Sequence, residues 1–140
     1  MKEQVTSIER SKRLIELGVP AHKASMVWFP EYKIRNHQLL ICHEGPYELI
    51  MKYTSYGDME DKVIPAFTVA DLLNIIPEGS TYGRLHITRS SYSRGKDWRV
   101  FYKRVGASKG AIVSFGDSTL ICPACDMIKW LLANNYKLNI

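Results

Sequence analysis

Residues 121–127 read ICPACDM. Two cysteines with two residues between them have the spacing of a dithiol redox couple or of half a zinc site. Either chemistry needs more than the pair. A thioredoxin-like domain opens an early helix with its dithiol and builds further strands after it. Only 15 residues follow Cys125, and they read as one helix. A structural zinc takes four ligands, and the third cysteine, Cys42, stands next to His43, where adjacent side chains rarely face one metal. Helix packing accounts for the pair more simply. Ser118 or Thr119 caps the helix, Pro123 fits a first turn whose amides lack intrahelical partners, and Cys125 acts as a small apolar side chain. Cys122 is the candidate reactive thiol, because a helix N-terminus favours the thiolate. The histidines at 22, 37, 43 and 86 form no ligand spacing with one another or with a carboxylate. There is no nucleophile elbow, P-loop or dinucleotide fingerprint. No catalytic residue, metal site or cofactor is assigned.

Charge is the stronger signal. The chain has 140 residues and a formal net charge of +5. Residues 1–83 sum to −2 and residues 110–140 to zero, whereas residues 84–109, RLHITRSSYSRGKDWRVFYKRVGASK, sum to +7. Arg89, Arg94, Lys96 and Arg99 crowd one hairpin turn. Lys103, Arg104 and Lys109 crowd the far end of its second strand, and Tyr92, Trp98 and Tyr102 are interleaved. Cations that neutralise phosphates release counterions, exposed aromatic rings stack on bases, and a two-stranded ribbon can enter a major groove. Arg89, Arg94, Lys96, Trp98, Arg99 and Lys103 are therefore the candidate nucleic-acid contacts. The plainer alternative is that the same cations solvate a sheet face and blunt its edges.

The elements that must hold these residues follow from pattern. A first helix is capped by Thr6 with Glu9 as its box partner and ends at Gly18. Pro20 opens a second, short helix through residues 24–27. Residues 31–56 read as extended, with period-2 alternation at 47–53. A third helix over 69–76 starts at Thr68 with Asp71 at its third position, and Phe67 and Leu72 are spaced for a hydrophobic staple. Strands are expected over 84–89, 98–105 and 111–115, joined by short polar links that favour antiparallel neighbours. A last helix covers roughly 120–135. The expectation is a single α+β domain over residues 1–140. Its antiparallel meander of about four strands packs with an N-terminal helix pair, a middle helix and a C-terminal helix.

Three blocks carry a family resemblance: TSIERSKRLIELGVP at 6–20, IPAFTVADLLNIIP at 64–77 and DMIKWLLANNY at 126–136. They resemble a family of small uncharacterised proteins of gut bacteria and their prophage-like or conjugative elements. The resemblance implies an accessory protein of a prophage or mobile element and brings no catalytic residues. The N-terminus lacks a signal-peptide pattern, no run approaches the roughly 18–20 apolar residues of a membrane span, and three cysteines suit a reducing compartment. A cytoplasmic protein without membrane association is expected. The leading reading is a non-enzymatic module that binds another protein. The second is a nucleic-acid-binding protein that uses the hairpin within 84–109, and the third is an enzyme of unknown type.

Overall fold

The computed structural model describes residues 4–30, 37–41, 63–80, 83–89, 97–104 and 111–140. The chain divides into two compact units, Met1–Asp71 with Ile140, and Leu72–Asn139. The class is α+β. Among the described residues it has three α-helices and two antiparallel sheets, of three and four strands. No described helix is long and apolar enough to cross a membrane. The expected strand at 47–53 lies outside the described residues.

The first unit opens with α1 (Ile8–Glu16). Its cap is Ser7, whose Oγ accepts from Arg10 N at 3.3 Å, so the expected capping box of Thr6 and Glu9 does not form. Thr6 is instead fully buried, with its hydroxyl 2.7 Å from Ser11 Oγ and accepting from Phe67 N at 2.9 Å. A side chain committed to a buried partner cannot also cap a helix. The helix ends as expected. Gly18 has φ +100°, its amide donates to Ile15 O, and Val19 donates to Leu14 O. That is a Schellman motif, with the apolar Leu14 and Val19 buried together beneath it.

The expected second helix is absent. A short 3₁₀ turn, Ala21–Lys23, gives way to β1 (Met26–Pro30). β1 is the centre of a sheet in the order β2-β1-β3, with β2 His37–Ile41 and β3 Ile64–Ala66. Met26, Val27 and Trp28 are all buried. An apolar run covered on both faces carries no period-2 signal, and a short one cannot be told from a buried helix by pattern alone. Met26 pairs with Ala66 and Trp28 with Ile64. On that face Val5 joins the same core cluster, and Ile8 packs against it. Val5 bridges to Thr68, and Thr6 N donates to Phe67 O at 2.9 Å, so the N-terminal segment lies antiparallel to the residues after β3. Trp28 Nε1 donates to Thr6 O at 2.9 Å, which satisfies the one polar atom of a buried indole.

The helix α2 (Val69–Ile75) carries the expected capping box. Asp71 N donates to Thr68 Oγ1 at 3.1 Å, and Thr68 N donates to Asp71 Oδ2 at 2.8 Å. The same buried carboxylate takes Ser25 N at 2.9 Å and the Ser25 hydroxyl at 2.5 Å, which fixes the residue just before β1. Phe67 and Leu72 are both fully buried.

The second unit holds β4 (Gly79–Ser80), β5 (Gly83–Arg89), β6 (Trp98–Lys103) and β7 (Val113–Asp117), each antiparallel to the next in the order β4-β5-β6-β7. The last strand starts and ends two residues later than the pattern suggests. The helix α3 (Ile121–Ala133) packs on β6 and β7. It buries Ile121, Ala124, Cys125, Met127, Ile128 and Leu131 against the sheet face that carries Val100 and Tyr102. Tyr102 is fully buried and its hydroxyl donates to Pro77 O. Leu120 stands at the cap of α3 without a side-chain bond, so neither Ser118 nor Thr119 caps it. Its C-terminus is a second Schellman motif, with Asn135 at φ +60°, Asn135 N donating to Leu132 O and Tyr136 N to Leu131 O. Tyr136 then tilts against Trp130 at 5.5 Å between ring centroids.

Candidate nucleic-acid interface

Alternation along β6 decides which side of the sheet each residue occupies. Val100 and Tyr102 are fully buried on the face covered by α3. Arg99, Phe101 and Lys103 therefore occupy the opposite, outer face. Directly paired residues share a face, so the register extends the assignment across the sheet. Thr88 pairs with Arg99, His86 with Phe101 and Arg84 with Lys103, while Gly116 and Ser114 of β7 pair with Arg99 and Phe101. The outer face of β5, β6 and β7 is thus Arg84, His86 and Thr88; Arg99, Phe101 and Lys103; Ser114 and Gly116. It holds three permanent cations and no carboxylate. No acidic side chain pairs with Arg84, Arg99 or Lys103 among the described residues. Asp97, the one acid within 84–109, lies just before β6.

Arg99 is held in place. Its Nε and Nη2 donate to Ser114 Oγ at 3.3 and 2.9 Å, and its guanidinium carbon lies 5.4 Å from the Phe101 ring centroid. Gly116 makes room for this. A Cβ there would stand 3.3 Å from Arg99 Cγ, so the arginine stem crosses β7 where β7 has no side chain. Of five guanidinium N–H donors, two are used, and the rest face solvent on an exposed residue. Phe101 also meets His86, with ring centroids 5.1 Å apart and planes 10° from parallel. Arg99, Phe101 and His86 make a row of three flat groups from β6 to β5.

At the other end of the face, Arg84 and Lys103 are directly opposed. Gly83 sets that junction. It has φ +109°, and a Cβ there would stand 2.5 Å from Lys103 O, so only glycine lets β5 begin against β6 at this point. Like charges directly across a ladder are destabilising, typically by some tenths of a kcal/mol. This pair is a local cost to the fold.

The sequence-derived contacts separate accordingly. Arg99 and Lys103 lie on the outer face. Arg89 and Trp98 are paired on the α3 side at the hairpin end of the sheet, with the Arg89 guanidinium carbon 5.4 Å from the indole centroid. Trp98 is thereby engaged by a cation and is not part of the outer face. Arg94, Lys96 and Lys109 lie outside the described residues. Arg84, His86, Phe101, Ser114 and Gly116 complete the face and were not singled out by type. The available signal was parity: counted in twos from Tyr102, the strand reading separates Arg99, Phe101 and Lys103 from Trp98. The β5–β6 hairpin is not a free ribbon, because β7 pairs with β6 from Trp98 to Tyr102 and β4 flanks the start of β5.

The dithiol-spaced cysteines occupy the first turns of α3. Cys125 is fully buried, Cys122 is half-buried, and they form no disulfide. Thr119 Oγ1 donates to Cys122 Sγ at 3.3 Å. Among the described residues no three His, Cys, Asp or Glu side chains are grouped to hold a metal ion; Cys42 and His43 lie outside them. Comparison with protein-family models, with curated proteins and with solved structures gives no match to this chain.

Proposed function

We propose that the protein is a nucleic-acid-binding module that uses the outer face of its four-stranded sheet. One observation supports this reading: Arg84, Arg99 and Lys103 share a face with a stacked His86–Phe101 pair, and that face of β5, β6 and β7 bears no carboxylate. Cations contact phosphates and rings contact bases. An accessory role in a prophage or mobile element, in the cytoplasm, belongs to the same proposal and rests on the resemblance of the three helical blocks. The competing proposal, a protein-binding module, calls for an exposed apolar patch. Among the described residues the large exposed apolar side chains, Ile15, Ile87, Ile112 and Ile140, belong to four separate segments of the chain. The test is fluorescence anisotropy with a labelled oligonucleotide over a series of salt concentrations. Three phosphate contacts to a single strand give a slope of log affinity against log salt of about −2. Removing Arg84, Arg99 and Lys103 together abolishes both the binding and the slope. Binding undetectable at about 100 μM protein in low salt sinks the proposal, because even non-specific duplex binders usually reach about 10⁻⁴–10⁻⁶ M.

A further inference from the structure

We infer that the ligand is single-stranded and that Arg84 and Lys103 form a clamp for one of its phosphates; this rests on the nucleic-acid reading above. The first argument is shape. A major groove about 12 Å wide admits a helix or a two-stranded ribbon. Here β7 pairs with β6 from Trp98 to Tyr102, and β4 pairs with β5 at Gly83 and Arg84, so three strands lie abreast at each level of the ladder. Three strands spaced by about 4.8 Å place the outer backbones about 10 Å apart before backbone thickness and side chains are added. A face of that width exceeds the two-stranded ribbon that a groove admits, whereas an unpaired strand can lie across it.

The second argument is the flat row on the face. In a duplex the base faces are covered by their neighbours, so rings on a protein surface gain nothing from them. An unpaired base can add to a stack. Phe101 is engaged by His86 and by Arg99, whereas Phe101 is the one ring neighbour of His86 among the described residues. The second face of His86 is where a base extends the row.

The third argument is the charge pair. Arg84 and Lys103 share the His86 face and are directly opposed, one residue pair along the ladder from His86 and Phe101 on the same side. Their repulsion is relieved when an anion sits between them, and no described carboxylate does so. A nucleotide whose base stacks on His86 brings its own phosphate toward this end of the sheet. The fold thus carries an unfavourable pair that binding turns favourable.

The experiment compares a fluorescein-labelled oligothymidylate with a duplex of equal length, using the full chain, and adds pyrophosphate as a competitor. The wild type binds the single strand about tenfold more tightly than the duplex, the difference that one or two base stacks supply. Arg84→Ala weakens single-strand binding about tenfold, as expected for one charge-assisted contact, and flattens the salt slope by about 0.7. Lys103→Glu abolishes binding yet raises Tm by about 1–3 °C, because it replaces a repelling cross-strand pair with an attracting one. That opposed pair of effects distinguishes a binding role from a structural one. Equal affinity for both oligonucleotides overturns the single-strand assignment and leaves the nucleic-acid reading standing. Wild-type affinity in both clamp variants does the same to the clamp. Pyrophosphate competes for the clamp, and only if it binds as tightly as the oligonucleotide itself is the pair a site for a free phosphate ligand and the inference overturned; no binding to either oligonucleotide overturns both readings.

Discussion

Three donors converge on the Asp71 carboxylate: Thr68 N, Ser25 N and the Ser25 hydroxyl. The carboxylate is buried, whereas Ser25 is exposed, so water can take over the Ser25 donors when the carboxylate is removed. Asp71→Ala should cost about 2 kcal/mol, chiefly the lost cap, and Asp71→Asn about half of that, because an amide keeps one acceptor oxygen. Chemical denaturation of the two variants measures both values, and equal stability of Asp71→Ala and wild type would refute the assignment. The cap was legible in the sequence, since Thr68 and Asp71 have box spacing. The bond to Ser25 was not, because 46 residues separate donor and acceptor and nothing local marks the pair. Thr6 makes the same point in reverse. Its type and position suit a cap, but a tertiary partner, Phe67 N, takes its hydroxyl. The cysteines give a second test at this scale. Thiol labelling of the native protein, followed by peptide mapping, should modify Cys122 well before Cys125, whose side chain is fully enclosed. Simultaneous modification would contradict the packing of α3.

At the scale of elements, the glycines at 18 and 83 share a left-handed backbone in very different surroundings. Gly18 has open space where a Cβ would stand, whereas at Gly83 it would strike the Lys103 carbonyl. Gly18→Ala should therefore cost about 1–2 kcal/mol of backbone strain alone. Gly83→Ala should cost clearly more and should also disturb the junction that opposes Arg84 to Lys103. Thermal melts order the two, and an equal loss would argue against the close β5–β6 approach. Asn135 occupies the corresponding left-handed position after α3. Asn135→Gly should stabilise by about 0.5 kcal/mol and Asn135→Val should destabilise by about 1–2 kcal/mol. The helix ends and the β5 and β6 strands were readable because their signals are local: a glycine after an amphipathic run, and aromatic and branched residues between polar links. β1 was not. Met26, Val27 and Trp28 are buried on both faces, which erases alternation, and Pro20 invites a helix that stops at a single 3₁₀ turn.

For the whole molecule, the net charge of +5 arises from one segment with +7, and summing charge along the chain is enough to find it. Which of those charges act together is a question of register and strand parity. Two of the six nominated residues, Arg99 and Lys103, belong to the outer face, and Trp98 is turned to the other side with Arg89 over its ring. The strand pairings bring in His86 and Ser114, neither of which has a charge that would draw notice. This yields a prediction for the assembled face. Ser114→Ala removes no charge but releases Arg99 from its two hydrogen bonds, so it should weaken oligonucleotide binding about threefold with an unchanged salt slope, because the number of phosphate contacts is the same. A changed slope would show that Ser114 acts other than by positioning Arg99.

The bridge between Val5 and Thr68 joins residues 63 positions apart. A ribosome adding about 5–20 residues per second needs about 3–13 s to supply the second partner after the first. In the later part of that interval, once residue 41 has been added, β1 and β2 can pair as neighbours, but the other edge of β1, with Met26, Val27 and Trp28, has no β3 to meet it. A nascent chain with an open apolar edge is prone to join another copy. The rate of translation through residues 42–66 therefore sets how long each new molecule is exposed to that hazard, and slowing it lengthens the dangerous interval.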